Sequence, residues 1–499
     1  MKDLLRRGLK RMAIAVSTTA AGALFLTGCA TERLDLAPPS PSQPWTPGPP
    51  SESYRNHDFT LPADPAAAAL TPQVAIDPQM AYPLPALINL AQQKNPDTRI
   101  AWEQARQAAL AVGMVEATFL PMLSASVIAG YQKLRTPLPH SIGNYSDIDS
   151  TNSAVVPALG LQWLLFDFGQ RSALAEGAQH LSWAANVAFN GIHQIIIHDV
   201  THTYHLYGAA LSRSKINAEM LKNSQMILDA AQDKRRNGVA TVIEVAQAQQ
   251  LVAQAQLNVV LAQGMEDDSR QALLRAVGLS PLSDIKVAYN EATPLPETVP
   301  RPTETMIKQA LSQRPDVLAS YATAQAARSA VKATEADFLP KVYLAGALAS
   351  GHARFETDGL PAATPQTSSS NILLGVRVPL YDGGIRLARV QEAESRLNVA
   401  NEGLQKIQDD AYREIVIASN TLRSALESNR AALHLVKTAS VTFDAAVEAY
   451  RNGVGTVTMA NEAANGLLTA EQLQIDARAS VFIAAANLAF VMGKMNQPN

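Results

Sequence analysis

The chain has 499 residues, of which 47% are hydrophobic, 17% are charged and only 5% are aromatic. Its single cysteine, Cys29, excludes a framework of disulfides within the chain and every metal cluster built on several cysteines. The net charge of −3 at pH 7 lacks the basic excess that is typical of nucleic-acid-binding proteins. Much of the apolar content is alanine and other small residues, which favours long, closely packed helices.

The first 28 residues predict a lipoprotein signal peptide. Positive charges between Lys2 and Arg11 precede the apolar run 13–26, which is the pattern of a secretory signal. The end of this run, Leu26-Thr27-Gly28-Cys29, resembles the bacterial lipobox, whose cysteine is lipidated and becomes the mature N-terminus. Because Ala30 follows, and not aspartate, the resemblance implies a lipid-anchored protein sorted to the outer membrane. The alternative is ordinary cleavage beside an incidental cysteine.

Residues 29–83 are predicted to form a lipidated tether. The segment is rich in proline, serine and alanine, with seven prolines between Pro38 and Pro50. Prolines at this density disfavour regular helices and central strands, so we expect an extended linker.

The rest of the chain is a tandem repeat, with units at residues 84–279 and 303–493, a linker at 280–302 and a tail at 494–499. Phe119-Leu120-Pro121 recurs as Phe338-Leu339-Pro340 at an offset of 219 residues. Arg236-Asn237-Gly238-Val239 recurs as Arg451-Asn452-Gly453-Val454 at an offset of 215. Two constant offsets indicate a duplication with one change of length, which lies between Pro121 and Asp167.

Each unit predicts the same order of elements. A helix (84–118 and 303–337) is followed by two strands of alternating polarity, whose connecting loops are predicted at 136–153 and 355–370. A very long helix follows (170–236 and 384–451), then an Asn-Gly turn and a returning helix (241–277 and 456–492). At 1.5 Å per residue, a helix of about 67 residues spans roughly 100 Å, which predicts a coiled-coil or tunnel setting.

Counting strands predicts an oligomer. Beyond the signal peptide the sequence shows no apolar run as long as a membrane-spanning helix, so an outer-membrane span requires a closed β-barrel. Two strands per repeat give four per chain, whereas the smallest barrels made by one chain have about eight. Several chains must therefore share one barrel, or the strands do not span the membrane.

These features resemble the TolC-like outer-membrane efflux protein family, in particular its lipidated branch. The resemblance is carried by the duplicated plan, by the Phe-Leu-Pro before each first strand and by the Asn-Gly-Val-x-Thr-Val turns. It implies an α+β membrane protein whose long helices form a periplasmic helical barrel, continued by a 12-stranded transmembrane β-barrel in a homotrimer. It also implies a periplasmic membrane-fusion adaptor and an inner-membrane pump as partners, no cofactor, and no enzymatic activity.

The resemblance places a periplasmic gate near the second-repeat turn. Tyr450 matches the constricting tyrosine of the family, and Glu462 matches the second of two acidic positions. The first acidic position and the basic position are occupied by Met459 and Gly455, so the charge network must differ from that of the family. The remaining candidates of this gate are Arg451, the nearby cation, and Glu244, the acidic residue of the first-repeat turn. The alternative for both glutamates is a solvated residue that favours a helix N-terminus.

The two turns are a second candidate site, where the adaptor would dock. Glycine allows the left-handed conformation that ends a helix, and exposed valines would supply apolar contacts. The docking residues predicted in this way are Gly238, Val239, Val242, Gly453, Val454 and Val457. The alternative is that the valines close the tip of the tube itself.

Three histidines at helical spacing, His198, His202 and His205, form a weak candidate metal site. Because no carboxylate or cysteine lies on the same stripe, a polar helix face is the preferred interpretation.

The main functional hypothesis is a passive exit duct for small toxic compounds in a tripartite efflux system. The sequence contains no Walker A loop and no Gly-x-Ser-x-Gly or His-Glu-x-x-His motif, so partners must supply the energy. Two alternatives stay open, the exit duct of a type I protein-secretion system and a structural lipoprotein whose periplasmic coiled coil forms no pore.

Overall fold

The structure is a computed structural model that describes residues 76–495 apart from 78, 143–144, 297, 300 and 359, together with scattered positions between 37 and 67. Side chains at 138–146 are not described. The chain divides into two units, Met1–Pro72 and Gln73–Asn499, and the elements below all belong to the second. The predicted signal peptide, Cys29 and most of the tether lie outside the described residues.

The two repeats have the same order of elements. The first contains β1 (Ala81–Tyr82), α1 (Leu84–Lys94), α2 (Pro96–Ala117), β2 (Met122–Ile142), β3 (Tyr145–Phe166), α3 (Gln170–Arg236) and α4 (Val242–Val277). After β4 (Lys286–Val287) in the linker, the second contains α5 (Glu304–Leu311), α6 (Pro315–Glu335), β5 (Lys341–Thr357), β6 (Gln366–Arg377), α7 (Ile385–Arg451) and α8 (Val457–Val491). A 3₁₀ turn, Ala336–Phe338, follows α6. A mainly helical α+β fold is thereby confirmed.

The helix predicted at the start of each repeat is two helices. Asn95 ends α1 and caps α2, with its side chain accepting a hydrogen bond from the Asp97 N–H at 2.9 Å. Pro96 and Pro315 occupy the first position of α2 and α6, where proline is tolerated because that N–H has no helical partner. The prediction of a single helix was wrong here because proline also disfavours the helical conformation of the residue before it.

The long helices have the predicted bounds almost to the residue. Both α3 and α7 contain 67 residues, and α7 begins one residue later than predicted. In the lower half of the bundle, α3 pairs with α4, α7 pairs with α8, and α8 also packs on α3. By length and composition, α8 could also cross a membrane, with a mean hydropathy of 1.2 over 18 residues. Here it packs within the bundle, and its apolar character reflects many alanines and few charges.

Among the described residues, the four long strands form one antiparallel sheet in the order β2-β3-β5-β6. The predicted loops 136–153 and 355–370 were too long, because β2 continues to Ile142 and β3 begins at Tyr145. Similarly, β5 continues to Thr357 and β6 begins at Gln366. Pairing with the neighbouring strand extends the ladder through polar residues that taken alone favour turns.

Candidate functional site

The two Asn-Gly turns at the far end of the long helices have the same backbone geometry. The Val239 N–H donates to the Lys234 carbonyl at 2.9 Å, and the Gly238 N–H donates to the Arg235 carbonyl at 3.0 Å. Val454 and Gly453 make the equivalent bonds to Ala449 and Tyr450 at 3.0 and 3.2 Å. This is the Schellman arrangement, and both glycines have the positive φ that it requires, +76° and +81°.

The helices that follow the turns are capped differently in the two repeats. The Thr241 hydroxyl accepts from the Glu244 N–H at 3.2 Å, and the Glu244 carboxylate accepts from the Thr241 N–H at 3.4 Å, which completes a capping box. Thr456 accepts from the Met459 N–H at 3.2 Å, but Met459 has no carboxylate to return the bond. Glu244 therefore stabilises the N-terminus of α4, which is the local role that the alternative interpretation gave it.

Tyr450 lies in an apolar cluster that we call the tip core. The cluster joins α3, α4, α7 and α8 just above the turns, and it includes Ile227, Ala248, Tyr450 and Val457. The Tyr450 side chain is 1% exposed, and its hydroxyl has no hydrogen-bond partner among the described residues. Burial raises the pKa of this phenol, and the Glu244 carboxylate raises it further, so the ring is neutral at neutral pH.

Lys234 contacts both the ring and the backbone of Tyr450. The sequence analysis did not predict this contact. Its ammonium group lies 4.3 Å from the centre of the Tyr450 ring and donates a hydrogen bond to the Tyr450 carbonyl. A cation–π contact of this kind contributes about 0.5–2 kcal/mol. The second repeat has Ala449 at the equivalent position, so no repeated motif marked Lys234.

The remaining gate candidates lie on the surface. Glu462 is exposed on α8, one turn beyond the start of the helix. Arg451 is exposed and points a guanidinium nitrogen toward the sulfur of Met226 at 3.9 Å. The structure therefore places the Glu244 carboxylate where its charge acts on Tyr450 within one chain, whereas the Glu462 and Arg451 side chains are exposed.

The predicted docking valines differ in their exposure to solvent. Val239, Val242 and Val454 are exposed, Val454 by 84%, and Ile243 beside them is exposed as well. Val457 is only 2% exposed, so the prediction that it forms an exposed contact was wrong. Its side chain packs in the tip core, where it fills space beside Tyr450.

An ion pair explains the motifs that recur at the junction between sheet and helices. Asp167 accepts from the Arg171 side chain at 2.8 Å, and both side chains are buried. The same guanidinium donates to the Thr118 carbonyl at 2.7 Å and lies 4.7 Å from the centre of the Phe119 ring. In the second repeat, the Arg386 guanidinium forms an ion pair with Asp382 at 3.0 Å and lies 5.5 Å from the centre of the Phe338 ring. The Phe-Leu-Pro and the Asp-x-Gly-x-Arg motifs therefore build one joint, which fixes the helices to the strands.

The three histidines do not form a metal site among the described residues. His205 is buried and stacks on Phe482 at 4.5 Å, and its Nδ1 has no hydrogen-bond partner in the described part of the chain. Burial lowers the pKa of His205 to about 4, with a smaller contribution from the Arg478 charge. His198 and His202 stack on each other with ring centres 6.2 Å apart. His205 is therefore a neutral core residue and not a member of a polar face.

One face of the sheet is apolar. Paired positions place Leu123 beside Leu161, Leu159 beside Leu348, and Gly346 beside Ile372. The side chains of Leu123, Leu159, Leu348 and Ile372 are exposed, and that of Leu161 is half-buried. The opposite face is mostly small or polar, although Ile128 and Leu373 also lie on it; its paired positions include Ser124, Ser126, Ala158, Gly160, Ala347, Ala349, Ser369 and Asn371.

The apolar face has a defined height. From Leu123 to Tyr131 it extends over nine residues, about 27 Å along the strand. Beyond Tyr131 the same face carries charges, with Lys133 paired to Asp149 at 3.1 Å and Arg135 paired to Asp147. Because the strands of outer-membrane barrels are tilted, each crosses the membrane with about 9–11 residues. The nine residues of this apolar band and its charged border therefore match a transmembrane strand.

Comparison with known proteins identifies the family. The profile described as "Outer membrane efflux protein" matches residues 87–279 and 306–494, which is most of the chain. The chain belongs to the outer membrane efflux protein family. The two matched segments coincide with the two structural repeats.

Relatives and solved structures agree with this result. The chain is 26% identical to protein CyaE of Bordetella pertussis, with 80% of this chain and 82% of that protein aligned. It is 25% identical to outer membrane protein OprJ of Pseudomonas aeruginosa over 74% and 75% of the two chains. It is 22% identical to the probable outer membrane lipoprotein SilC of Salmonella typhimurium over 84% and 86%.

The solved outer membrane channel CmeC of Campylobacter jejuni shares the fold. Its TM-score is 0.71 at 19% identity, with 83% of this chain and 87% of that chain covered. The protein is thus an outer-membrane efflux protein of a family of channels.

Proposed function

We propose that the protein is one subunit of a homotrimeric channel-tunnel, a passive exit duct for small toxic compounds in a tripartite efflux system. The observation that carries this proposal is the sheet, whose apolar face is exposed over the height of a membrane while its other face is mostly small and polar. A surface of this size is stable against lipid and unstable against water.

The open edges of the sheet support an oligomer. Within the described residues, β2 and β6 each pair on one side only. A membrane cannot hold unpaired backbone groups, because no water is present to bond them. Three copies with four strands each would close a 12-stranded transmembrane β-barrel, and the six long helices and six returning helices below it would form the periplasmic tunnel.

The lipid anchor at Cys29 would attach each subunit to the outer membrane from the periplasmic side. Support comes from the lipobox in this sequence and from the likeness to a probable outer membrane lipoprotein. Palmitate-type acyl chains on Cys29 would add membrane affinity without contributing to the pore.

We infer that the tips of the long helices hold the periplasmic gate. Glu462 and Arg451 are free to face a neighbouring chain, whereas Tyr450, Lys234 and Glu244 stabilise the tip within one chain. In this proposal Tyr450 acts by holding α7 and α8 against α3, and the ring itself does not line the passage. Three copies of Glu462 at a narrow mouth would favour cations.

Adaptor docking is proposed for the exposed apolar residues of the turns. Replacing Val239 and Val454 together with serine is expected to abolish export while the assembled oligomer persists, because both side chains are largely exposed. The matched control is Val260→Ser on α4, which removes an equally exposed valine far from the turns. Normal export by the double variant would exclude the turns as the docking surface.

The cargo depends on partners that this chain does not contain. A passive duct discriminates by width and charge, and the inner-membrane pump selects the compound. A type I secretion duct is the second candidate, because the same tunnel geometry would serve a protein cargo. Export assays in a strain deleted for this gene, with toxic compounds and a secreted protein in parallel, distinguish the two.

The non-pore structural lipoprotein is disfavoured by the exposed apolar band, which a periplasmic coiled coil would leave in water. Heat-modifiable migration in gel electrophoresis tests this point. Unheated protein in detergent should migrate as a compact oligomer and boiled protein as a single chain. Identical migration of a monodisperse single chain in both samples would overturn the proposed channel.

A further inference from the structure

Helices α3 and α8 run antiparallel along a contact that we call the seam. At its upper end the His205 ring of α3 stacks on Phe482 of α8 at 4.5 Å. At its lower end Met220 of α3 and Leu468 of α8 both belong to the tip core. Because α8 is one continuous helix, a change in the packing of the seam also acts on the tip core.

A polar cavity of about 390 Å³ lies beside the seam, between α3, α7, α8 and the linker. From α7 its lining includes Val436, which carries no charge. The other three segments contribute three carboxylates and two cations, Lys215, Glu219, Glu291, Glu471 and Arg478. Charged groups of both signs therefore meet at one level of the bundle.

Both cations of this cavity already have partners in the linker. The Lys215 ammonium group pairs with the Glu291 carboxylate at 2.6 Å. The Arg478 guanidinium donates to the carbonyls of Glu291 and Thr293, in both cases at 2.6 Å. Tyr289, the titratable linker residue beside them, is neutral because burial raises the pKa of its phenol. These contacts fix the linker to the helices and satisfy the Glu291 carboxylate.

The other two carboxylates face the same cavity from the two sides of the seam, Glu219 from α3 and Glu471 from α8. Among the described residues, neither forms an ion pair. Glu471 is half-buried and Glu219 is exposed. Burial raises the pKa of Glu471, and the Glu219 charge raises it further. Two ionised carboxylates without a cation repel each other, so this pair weakens the contact between α3 and α8 when both are charged.

We propose that Glu219 and Glu471 make the seam a proton-controlled contact, which is tight when Glu471 is protonated and loosened when both carboxylates are ionised. This role is separate from that of a passive duct, because it gives the helical bundle a response to pH. The folded chain binds the Glu471 proton more tightly than the unfolded chain does. The contribution of Glu471 to the free energy of unfolding therefore decreases as pH rises above 4.5, the ordinary pKa of the group.

His205 acts in the opposite direction in the same seam. Burial lowers its pKa to about 4, so its contribution to the free energy of unfolding increases as pH rises from that value. The pH profile of the unmodified protein therefore combines both groups. Comparing proteins that all retain His205, at one pH at a time, isolates the carboxylate pair.

Hydrogen exchange of the full-length protein in detergent, measured by mass spectrometry, tests the proposal. Peptides from 212–224 and 465–480 report on the two sides of the seam. Glu471→Gln is the first variant, since Gln256 occupies the equivalent position of the first repeat. At about pH 7.5 it should slow exchange in these peptides about two- to fivefold, the effect of an interaction between partly exposed charges. Near about pH 5 the difference should disappear, because Glu471 is then protonated in the unmodified protein as well.

A charge reversal separates electrostatic repulsion from the shape of the side chain. Glu219→Lys places a cation opposite Glu471, so at about pH 7.5 it should slow exchange in the seam more than Glu219→Gln does. That advantage should fade toward about pH 5 as Glu471 takes up its proton. The matched control is Glu116→Gln on α2, which removes an exposed carboxylate outside the seam and should leave the seam peptides unchanged.

Two results would overturn the proposal. One is equal exchange in Glu471→Gln and the unmodified protein across this pH range. The other is equal effects of Glu219→Lys and Glu219→Gln, which would show that Glu471 does not sense the charge of its partner. Because the measurement follows a contact inside one chain, either result would leave the proposed channel unaffected.

Discussion

Truncating Tyr450 is expected to open the tip of the helical bundle. The ring is fully buried in the tip core and carries the Lys234 ammonium group over its face. Replacing a buried aromatic residue with alanine costs about 3–5 kcal/mol, and losing the cation–π contact adds to this cost. Since 1.4 kcal/mol is a factor of ten, a loss of about 3 kcal/mol raises the equilibrium for local opening about 100-fold.

Hydrogen exchange measured by mass spectrometry on peptides from residues 440–465 reports this opening directly. Tyr450→Ala should accelerate exchange in these peptides while peptides from the sheet stay unchanged. Tyr450→Phe is the matched control, because it keeps the ring and removes a hydroxyl that has no hydrogen-bond partner among the described residues. Removing an unsatisfied buried hydroxyl is expected to be neutral or stabilising.

Phe443→Ala separates lost volume from the lost Lys234 contact. Phe443 also lies in the tip core, whereas the Lys234 ammonium group lies over the Tyr450 ring, so truncation of Phe443 should open the tip less than truncation of Tyr450. Equal acceleration of exchange by Tyr450→Phe and Tyr450→Ala would contradict this expectation. That result would mean that the hydroxyl, and not the buried ring, holds the tip closed.

Three further predictions concern the cap, the joint and the buried histidine. Met459→Glu should complete the second capping box and slow exchange at the start of α8, with a gain of about 0.5–1 kcal/mol. Arg171→Met should lower the thermal midpoint strongly, because it leaves the Asp167 carboxylate buried without its cation at a cost of about 3–5 kcal/mol. Because burial holds the pKa of His205 near 4, the unfolded chain takes up this proton first as pH falls. The free energy of unfolding should therefore decrease between about pH 6.5 and pH 4, and His205→Phe should flatten that dependence in denaturant titrations.

Each of these has an outcome that contradicts it. Thr456→Ala should cancel the gain of Met459→Glu, and a gain that survives would show that no capping box forms. Arg386→Met should cost less than Arg171→Met, because Asp382 is the more exposed carboxylate. An unchanged pH profile in His205→Phe would assign the acid sensitivity to other groups.

The long helices and their turns were predictable because their signals are local. Both long helices lack proline and end at Asn-Gly, and the glycine conformation that ends them depends on few neighbours. The break at Asn95 was missed because the apolar pattern of the helix continues across Pro96, and a pattern alone does not show where the backbone is interrupted.

The contacts between residues far apart in the chain could not be predicted from the sequence. Val242 and Val457 occupy the same place in their repeats, yet one is exposed and the other is buried in the tip core. The difference arises because α8 packs against both long helices, α7 and α3, whereas α4 packs chiefly against α3. Lys234 was missed for a related reason, since its partner Tyr450 lies 216 positions away in the chain. Strand ends were misjudged because pairing, and not composition, determines how far a ladder extends.

We propose that copies of this chain enclose a pore across the outer membrane. Single-channel recording of the purified, lipidated protein in a planar bilayer, with the oligomer mass measured in parallel, tests it most directly. We expect a trimer with small, steady, cation-selective openings, and larger openings for Tyr450→Ala. A single chain without conductance would exclude the proposed pore, because four strands cannot close a barrel and the exposed apolar band would then need another purpose.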